Sequence, residues 1–459
     1  MRPRAVVVLH RCLRSVALGG ALVLIVMLSA LHARASPSWD GTWREIVTAG
    51  PKPAARAIAP AIVDTPRSRM IVFGGTDDFA AGTCFNDVWA LSLIASPAWE
   101  ELSPVGTPPT PRVASAAAYD PLRERMIVWS GYDGFNDVSE VWSLSLSDPV
   151  GWTEITPAGE TPIGRGVASL VYDPTRDRMV MFGGFHEGAH NDVWALSLAG
   201  TPTWTRLYPS GTSPHGRGFH TGIFDAPRDR MVIFGGQSET GFLNDVWALS
   251  FSPEPAWIEL QPAGPLPPVR SGQCGGYDPL LDRLVVFSGS SVEDLSAPPL
   301  EDVWALTLAE PMAWGQLFPS GPAPHGRVGA CGTLDAAGDA LVLFGGIDEG
   351  VYLDDTWALA WGGAGGITDE PRARLLVRGA NPLRESDRIE ITLDGALTRD
   401  AELALYDVQG RRLGVLAKGL RWSGAVRDLP IHEAGQYLLR ARMAEVTVTR
   451  TLVVLADGR

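Results

Sequence analysis

The chain is poor in cysteine and in lysine. It has four cysteines in 459 residues, and its lysines are Lys52 and Lys418 alone. Four cysteines are too few for a disulfide-dense scaffold. The sequence also lacks a P-loop, a dinucleotide-binding fingerprint and a recognisable Ser-His-Asp set. These absences exclude the commonest nucleotide sites and nucleophilic triads.

Excess positive charge is lacking as well. The formal net charge is −14, and subtracting the five arginines of residues 1–35, which contain no acidic residue, leaves −19 for the rest. Nucleic acid is therefore not an expected partner, because proteins that bind it neutralise phosphates with basic patches. The composition, 45% hydrophobic and 20% charged, is that of a globular protein.

The first 35 residues have the order of a signal peptide. Arginines such as Arg2 and Arg14 precede an apolar run from Val16 to Leu31, and Ala33-Arg-Ala35 provides a cleavage signal. We expect export, with membrane contact only during export, and a secreted or cell-surface protein. The alternative is an uncleaved anchor, although the run is short for a spanning helix.

A unit of about 53 residues is repeated six times. In each unit a Trp is followed 13 residues later by an Arg, then by small residues, an Asp in a turn, and an apolar run that ends in two small residues. The second small residue is always glycine: Gly75, Gly131, Gly184, Gly236, Gly289 and Gly346. A second Trp follows a variable loop: Trp89, Trp142, Trp194, Trp247, Trp304 and Trp357. The turns predict four antiparallel strands per unit, and the period predicts a radial array of sheets.

The two ends of the array are offset. The first unit begins with an outer strand at residues 43–47, and the last ends at Trp361 without one. We therefore predict a propeller over residues 36–361 whose sixth blade is completed by residues 43–47. Such closure removes exposed sheet edges.

These residues resemble the kelch repeat of the galactose oxidase/kelch superfamily, over residues 43–361. The resemblance rests on the apolar strand that ends in Gly-Gly and on the Trp that follows. It implies an all-β, six-bladed kelch propeller. Kelch propellers mostly bind partners, and a minority are enzymes.

The end of the chain differs in character. Residues 362–370 form a Gly-rich linker, and residues 371–459 alternate apolar and polar side chains, which predicts a small β-sandwich. Asn381-Pro382, the turn that begins at Tyr406-Asp407 and the Gly435-Gln-Tyr437 strand resemble the sorting domain of the type IX secretion system and the Ig-like domain of hook-capping proteins. The resemblance implies contact with secretion machinery. A structural Ig-like module is the alternative.

The loops between the second and third strands vary most, which is typical of a binding face on a constant scaffold. We expect their aromatic residues to bind a ligand, because aromatic rings beside carboxylates suit sugars; ordinary solvated loops are the alternative. The aromatic candidates are Phe79, Tyr132, Phe135, Phe185, Phe242 and Tyr352.

The six unit-opening arginines are expected at the channel mouth on the same face. Arg217 and Arg270 represent them as candidates for an anionic or acidic ligand, a use that the kelch resemblance implies. The structural alternative is that each Arg donates to carbonyls of the adjoining blade. Its presence in all six units favours that alternative, because a ligand rarely needs six identical contacts.

No metal or cofactor is expected. Four histidines could approach one another on the loop side: His186, His190, His215 and His220. The i, i+4 spacing of His186 and His190 suits zinc on a helix, but these two residues lie in a loop. Galactose-oxidase-like copper chemistry needs a Cys–Tyr pair that the sequence does not place, and an epimerase-like reaction needs a central acid/base pair. Cys274 and Cys331 are expected as buried thiols rather than as a disulfide.

The sequence thus favours a bacterial binding or adhesion module, secreted or surface-attached, for a glycan or protein partner. The alternatives are a secreted carbohydrate-active enzyme and a structural component of a surface layer or matrix.

Overall fold

The structure is a computed structural model that describes residues 40–94, 96–337 and 339–361, together with seven strands between residues 374 and 454. The chain divides into a unit of residues 1–35 and a unit of residues 36–459. The predicted signal peptide and linker lie outside the described residues. No described helix is long and apolar enough to cross a bilayer.

Six four-stranded antiparallel sheets form the blades. The innermost strands are Ala61–Asp64, Ala116–Asp120, Ser169–Asp173, Thr221–Asp225, Cys274–Asp278 and Cys331–Asp335. The second strands are Arg69–Phe73, Arg125–Trp129, Arg178–Phe182, Arg230–Ser238, Arg283–Phe287 and Ala340–Phe344. The third strands are Val88–Ser92, Val141–Ser145, Val193–Ser197, Gly241–Ser250, Val303–Thr307 and Thr356–Ala360. The outer strands of blades 1 to 5 are Trp99–Leu102, Gly151–Ile155, Thr203–Leu207, Ala256–Leu260 and Ala313–Leu317.

The sixth blade takes its outer strand from the start of the propeller. Thr42–Glu45 pairs antiparallel with Thr356–Ala360, with Trp43 opposite Leu359. The strand ends at Glu45, two residues before the end of the expected segment. The fold is thus an all-β, six-bladed propeller in which the first and last parts of the array share one sheet.

Aromatic contacts between blades build the core. The fifth residue of each second strand lies edge-on or tilted against the Trp of the next blade's outer strand, as in Phe73 with Trp152 and Phe182 with Trp257, both at 4.9 Å between ring centroids. All six junctions have this contact, including Phe344 with Trp99 at 5.0 Å, which closes the ring. The Trp that opens each repeat is therefore an inter-blade packing residue.

The two small residues that follow the aromatic residue of each second strand have different backbone conformations. The first has φ between +62° and +73°, and the second, which is always glycine, has φ between +93° and +110°. The backbone N–H of the second glycine donates to the carbonyl of the next blade's opening Arg, as in Gly184 to Arg217 at 2.8 Å. Ser130 and Ser288 tolerate the first conformation, whereas the second is restricted to glycine.

Beyond the propeller the described residues form two sheets. Three strands, Arg374–Arg378, Arg388–Asp394 and Arg421–Ala425, form one sheet. Four strands form the other: Glu402–Asp407, Arg412–Lys418, Gly435–Met443 and Val446–Val454. The β-rich character agrees with the sequence, and the sandwich with its sorting role stays a prediction. A two-stranded hairpin, Ile347–Asp348 with Val351–Tyr352, and two 3-10 turns, Thr65–Arg67 and Ala226–Arg228, complete the elements.

Candidate functional site

Because the four strands of a blade are antiparallel, successive connections along the chain emerge alternately on the two sides of the ring. The loops between second and third strands, and the segments that join one blade to the next, emerge on one side, called here the loop face. The connections between first and second strands, and between third and outer strands, emerge on the opposite face. All eight candidate ligand residues belong to loop-face segments.

The unit-opening arginines lie beneath the loop face, inside the blades. Arg217 is fully buried; its Nε donates to the His215 carbonyl, and its Nη atoms donate to both oxygens of Asp245 at 2.5 and 2.9 Å. Its Nη1 also donates to the Gly235 carbonyl. Arg270 is buried in the same way against Asp302. Four of the five N–H donors of each side chain are therefore used inside its own blade.

This network corrects the expectation that the arginines bond carbonyls of the adjoining blade. The side-chain hydrogen bonds of Arg217 stay within its own blade, and the Arg217 carbonyl accepts the N–H of Gly184 from the preceding blade. The geometry supports the structural alternative for Arg217 and Arg270. The sequence signal for the missing partner was present, since an acidic residue stands two positions before each second Trp.

The same acidic residue also orients the Trp. In five blades the indole Nε1 donates to its second oxygen, as Trp247 does to Asp245 at 2.7 Å. Burial alone would raise the pKa of Asp245, but hydrogen bonds from Arg217 and Trp247 hold it below its usual value. These five Trp residues are thus structural, as predicted, and each is held by a charged carboxylate beneath a variable loop.

Blade 2 departs from the pattern because Glu140 replaces the aspartate. A single contact of 3.3 Å joins Arg112 to Glu140, and Arg112 also donates to the Thr110 hydroxyl. The indole nitrogen of Trp142 is buried without a hydrogen-bond partner among the described residues. The longer side chain does not reproduce the shared Arg–carboxylate–Trp geometry.

Three of the variable loops are joined into one surface. The backbone N–H of Phe79 donates to the Tyr352 hydroxyl at 2.9 Å, which links blades 1 and 6. The rings of Phe79 and Tyr132 lie 6.3 Å apart, and a Cβ on Gly134 would stand 2.7 Å from the Gly82 carbonyl, which links blades 1 and 2. Phe135, beside Tyr132, is 86% exposed, and Phe79 is 51% exposed. We call Tyr352, Phe79, Tyr132 and Phe135 the aromatic surface.

The two remaining aromatic candidates lie elsewhere on the loop face. Phe185, in blade 3, is half-buried, with its ring 6.5 Å from that of Phe219. Phe242, in blade 4, lies in the extended hairpin opposite Gln237. The hydrogen bonds and ring contacts that join the aromatic surface do not include them.

Negative charge is concentrated on the loop face. Its twelve connecting segments, which lie between residues 46 and 355, contain nineteen carboxylates, the six buried arginines and Lys52, a formal charge of −12. Lys52 lies 2.8 Å from Asp354. The face therefore attracts cations and repels anions, which argues against an acidic ligand at the channel mouth.

Arginines of the opposite face reach from one blade to the next. Arg123 bonds its own Asp120 and, through both Nη atoms, Asp177 of the next blade at 3.0 and 2.7 Å. Arg176 and Arg228 repeat this arrangement, and Arg67 reaches Glu124 of the next blade through one Nη atom, so arginines bridge four junctions. In blades 5 and 6 the sequence has Leu281 and Gly338 at this position.

A serine and a histidine meet near the channel, a pair that sequence reasoning missed. The Ser169 hydroxyl lies 2.7 Å from Nε2 of His220, and Nδ1 of His220 has no partner among the described residues. Both side chains are buried. Burial, with a smaller effect of Arg217, lowers the pKa of His220 to about 3. The pair joins blades 3 and 4 through one buried hydrogen bond.

The other histidines and the cysteines form no metal site in the described part of the chain. Nδ1 of His186 lies 2.8 Å from Asp137, and the rings of His186 and His190 are 6.5 Å apart. No group of three His, Cys, Asp or Glu side chains suited to a metal ion occurs among the described residues. Cys274 and Cys331 are buried free thiols, as expected.

Comparisons with known proteins agree with this architecture. Residues 37–197 and 149–275, together just over half of the chain, match the family model described as KLHDC2/KLHL20/DRC7 Kelch-repeats domain. The chain is 28% identical over 238 residues to a leucine-zipper-like transcriptional regulator 1 homolog of Drosophila melanogaster, and 32% identical over 213 residues to Adagio-like protein 3 of Oryza sativa subsp. japonica. These matches use 49% and 44% of this chain but only 23% and 31% of the relatives.

Solved structures show the same fold. A fungal alcohol oxidase of the AA5 family, in complex with copper, superposes with a TM-score of 0.54 at 14% identity, over 90% of this chain and 99% of that one. A chain from the cryo-EM structure of RAG in complex with one melted and one unmelted RSS gives 0.50 at 10% identity, over 70% and 99%. At such identities the likeness concerns fold alone.

Proposed function

Since the chain belongs to the kelch-repeat family, we propose that its propeller is a binding module that holds a protein partner on the loop face. The carrying observation is that three variable loops form one connected surface with exposed aromatic rings. Large exposed aromatic residues are the usual anchors of protein interfaces. The buried arginines hold the scaffold beneath the loops and are not ligand contacts in this proposal.

A glycan is the second candidate ligand. Phe79 follows Asp77 and Asp78, and Tyr132 precedes Asp133, so aromatic faces and acceptors stand side by side. Sugars use both kinds of contact. The charge of the loop face gives no advantage to a neutral glycan, and we therefore place a protein partner first. A carbohydrate-active enzyme and a structural matrix component are the remaining alternatives.

We extend the proposal to location. The signal-like residues 1–35 and the sorting-domain resemblance of residues 371–459 support export to the surface of a bacterium or into its medium. A chain truncated after Gly366 is expected to remain inside the cell envelope of a host with type IX secretion. Continued secretion of the truncated chain contradicts the sorting role.

Binding by loop-face variants tests the proposed function. The full chain and its variants are immobilised and exposed to extracellular proteins of the producing organism, and in parallel to a glycan array. Phe135→Ala removes an exposed ring and is expected to weaken retention of the partner about tenfold. Leu122→Ala is the matched control, because Leu122 is an exposed apolar residue on the opposite face.

The outcomes separate the alternatives. Loss with Phe135→Ala but not with Leu122→Ala supports the loop face. Equal retention by both variants contradicts it. Retention of glycans alone, lost with Phe135→Ala, places the second candidate first. Phe185→Ala measures whether blade 3 belongs to the same interface.

A further inference from the structure

We propose that the aromatic surface binds a basic segment of the protein partner, through Lys or Arg side chains that lie over its rings. The inference rests on the proposed function and names the chemistry of the partner. It concerns blades 6, 1 and 2 only, rather than the whole loop face.

The first step is the charge of the three loops that carry the surface. Residues 74–87, 130–140 and 345–355 contain ten carboxylates and no Lys, Arg or His. Such an excess is costly to keep close together unless counterions or a partner neutralise it. A positively charged partner is therefore favoured over a neutral or acidic one.

The second step separates carboxylates that already have partners from those that do not. Asp87, Glu140 and Asp355 bond buried arginines, Asp354 pairs with Lys52, and Asp137 pairs with His186. The other five carboxylates form no ion pair with a described residue: Asp77, Asp78, Asp133, Asp348 and Glu349. They lie in the same loops as the exposed rings.

The third step is the geometry of these acids. Asp77 accepts from the Thr83 hydroxyl and Asp78 from the N–H of Ala81, each through Oδ1. Oδ1 of Asp133 accepts from the N–H groups of Phe135 and Asn136. These three carboxylates are thus held through one oxygen each, and their second oxygens remain for a partner.

The fourth step is the chemistry of the rings. A guanidinium or ammonium group is attracted to the face of an aromatic ring, and a nearby carboxylate adds to the attraction. The propeller uses this contact internally, where the guanidinium of Arg56 lies 4.2 Å from the ring centroid of Phe85 while it bonds Asp87. At the aromatic surface the rings and acids are present, and the cation is left for the partner to supply.

Labelled peptides test the proposal directly. Short flexible Gly-Ser peptides that carry several Arg, several Lys or several Glu residues are titrated with the full chain, and binding is followed by fluorescence anisotropy. The Arg and Lys peptides are expected to bind and the Glu peptide is not. Raising the salt concentration should weaken binding, because the attraction is largely electrostatic.

Matched variants locate the site. Asp77→Asn with Asp133→Asn removes two charges at the aromatic surface, and Phe135→Ser removes a ring at constant charge. Glu293→Gln with Asp294→Asn removes two charges in blade 5 and is the control. The surface variants are expected to weaken binding of the Arg peptide about tenfold, and the control by less than about twofold.

Each outcome decides a separate point. Equal losses with both double variants would mean that general acidity attracts the peptide, and the local site would be overturned. Absence of binding by either basic peptide, while Phe135→Ala still releases a captured protein, overturns this inference and leaves the proposed function standing. Failure of both experiments removes both proposals.

Discussion

On the loop face each blade buries one arginine against its own acidic residue, while on the opposite face half-exposed arginines join neighbouring blades. Arg217 is fully buried within blade 4, whereas Arg228, in the same blade, reaches Asp282 of blade 5. The two faces thus use the same pair of side chains for different purposes. The arginine side chains of the loop face stabilise their own blades, and those of the opposite face link one blade to the next.

The difference has a consequence for binding. Because loop-face arginines are used below the surface, the variable loops above them retain uncompensated carboxylates. The acids of the opposite face alternate with arginines at four junctions. Among the residues that the structure describes, the loop face alone therefore combines net negative charge with exposed rings held by joined loops. This asymmetry is the physical basis for placing a partner there.

The largest expected effect is the difference in stability between two variants that each remove one arginine, one from each face. Arg217→Ala leaves Asp245 partly buried without its partner and is expected to cost about 3–5 kcal/mol of unfolding free energy. Arg228→Ala breaks a more exposed pair and should cost about 1 kcal/mol or less. Chemical denaturation of both variants measures the difference. Similar losses would contradict the distinction between the faces.

The second prediction concerns the backbone that supports the loop face. Gly184→Val forces a branched side chain into φ +99°, with its Cβ 2.9 Å from the Gly166 carbonyl, and should cost about 1–3 kcal/mol. Gly235→Ser is the control, because Ser130 and Ser288 occupy the equivalent position in blades 2 and 5 and a Cβ on Gly235 stands 3.0 Å from the Arg270 carbonyl. It is expected to lose less. Thermal unfolding compares the two, and a larger loss for Gly235→Ser would refute the explanation from φ.

Much of the fold was predictable because the same residues recur at the same positions in all six blades. Six glycines, twelve tryptophans and the offset ends fix the propeller, its period and the strand that closes it. The partner of each Arg was not predicted, although Asp245 stands in a repeated position, because sequence does not show which side chains fold onto one another. Likewise, the contact between Tyr352 and Phe79 joins residues that are 273 positions apart, and no sequence pattern indicates it.

The third prediction concerns His220, which directly precedes the inner strand Thr221–Asp225 of blade 4. The pKa of His220 is lowered from 6.5 to about 3, chiefly by burial. The unfolded chain therefore binds a proton that the folded chain excludes, and stability falls as pH drops from about 6.5 towards 3, by up to about 1.4 kcal/mol per pH unit. His220→Gln should reduce this slope, measured by denaturation at several pH values. An equal slope in His220→Gln and in the unsubstituted chain would be inconsistent with a buried neutral His220.

The smallest expected effect concerns blade 2, the one blade in which the loop-face anchor is incomplete. Glu140→Asp shortens the side chain to that of the other five blades, where both oxygens bond the Arg and one also accepts the indole N–H. It should give Arg112 a second contact and the buried Trp142 nitrogen an acceptor, and stabilise the protein by about 0.5–1.5 kcal/mol. Urea denaturation measures the gain, and Asp245→Glu provides the reverse change in blade 4, with an expected loss of similar size. The Thr110 hydroxyl already receives one Arg112 N–H, so Glu140→Asp combined with Thr110→Val shows whether that bond offsets the gain. A loss of stability with Glu140→Asp alone would mean that blade 2 is built around the longer side chain, and that the six blades do not share one anchor geometry.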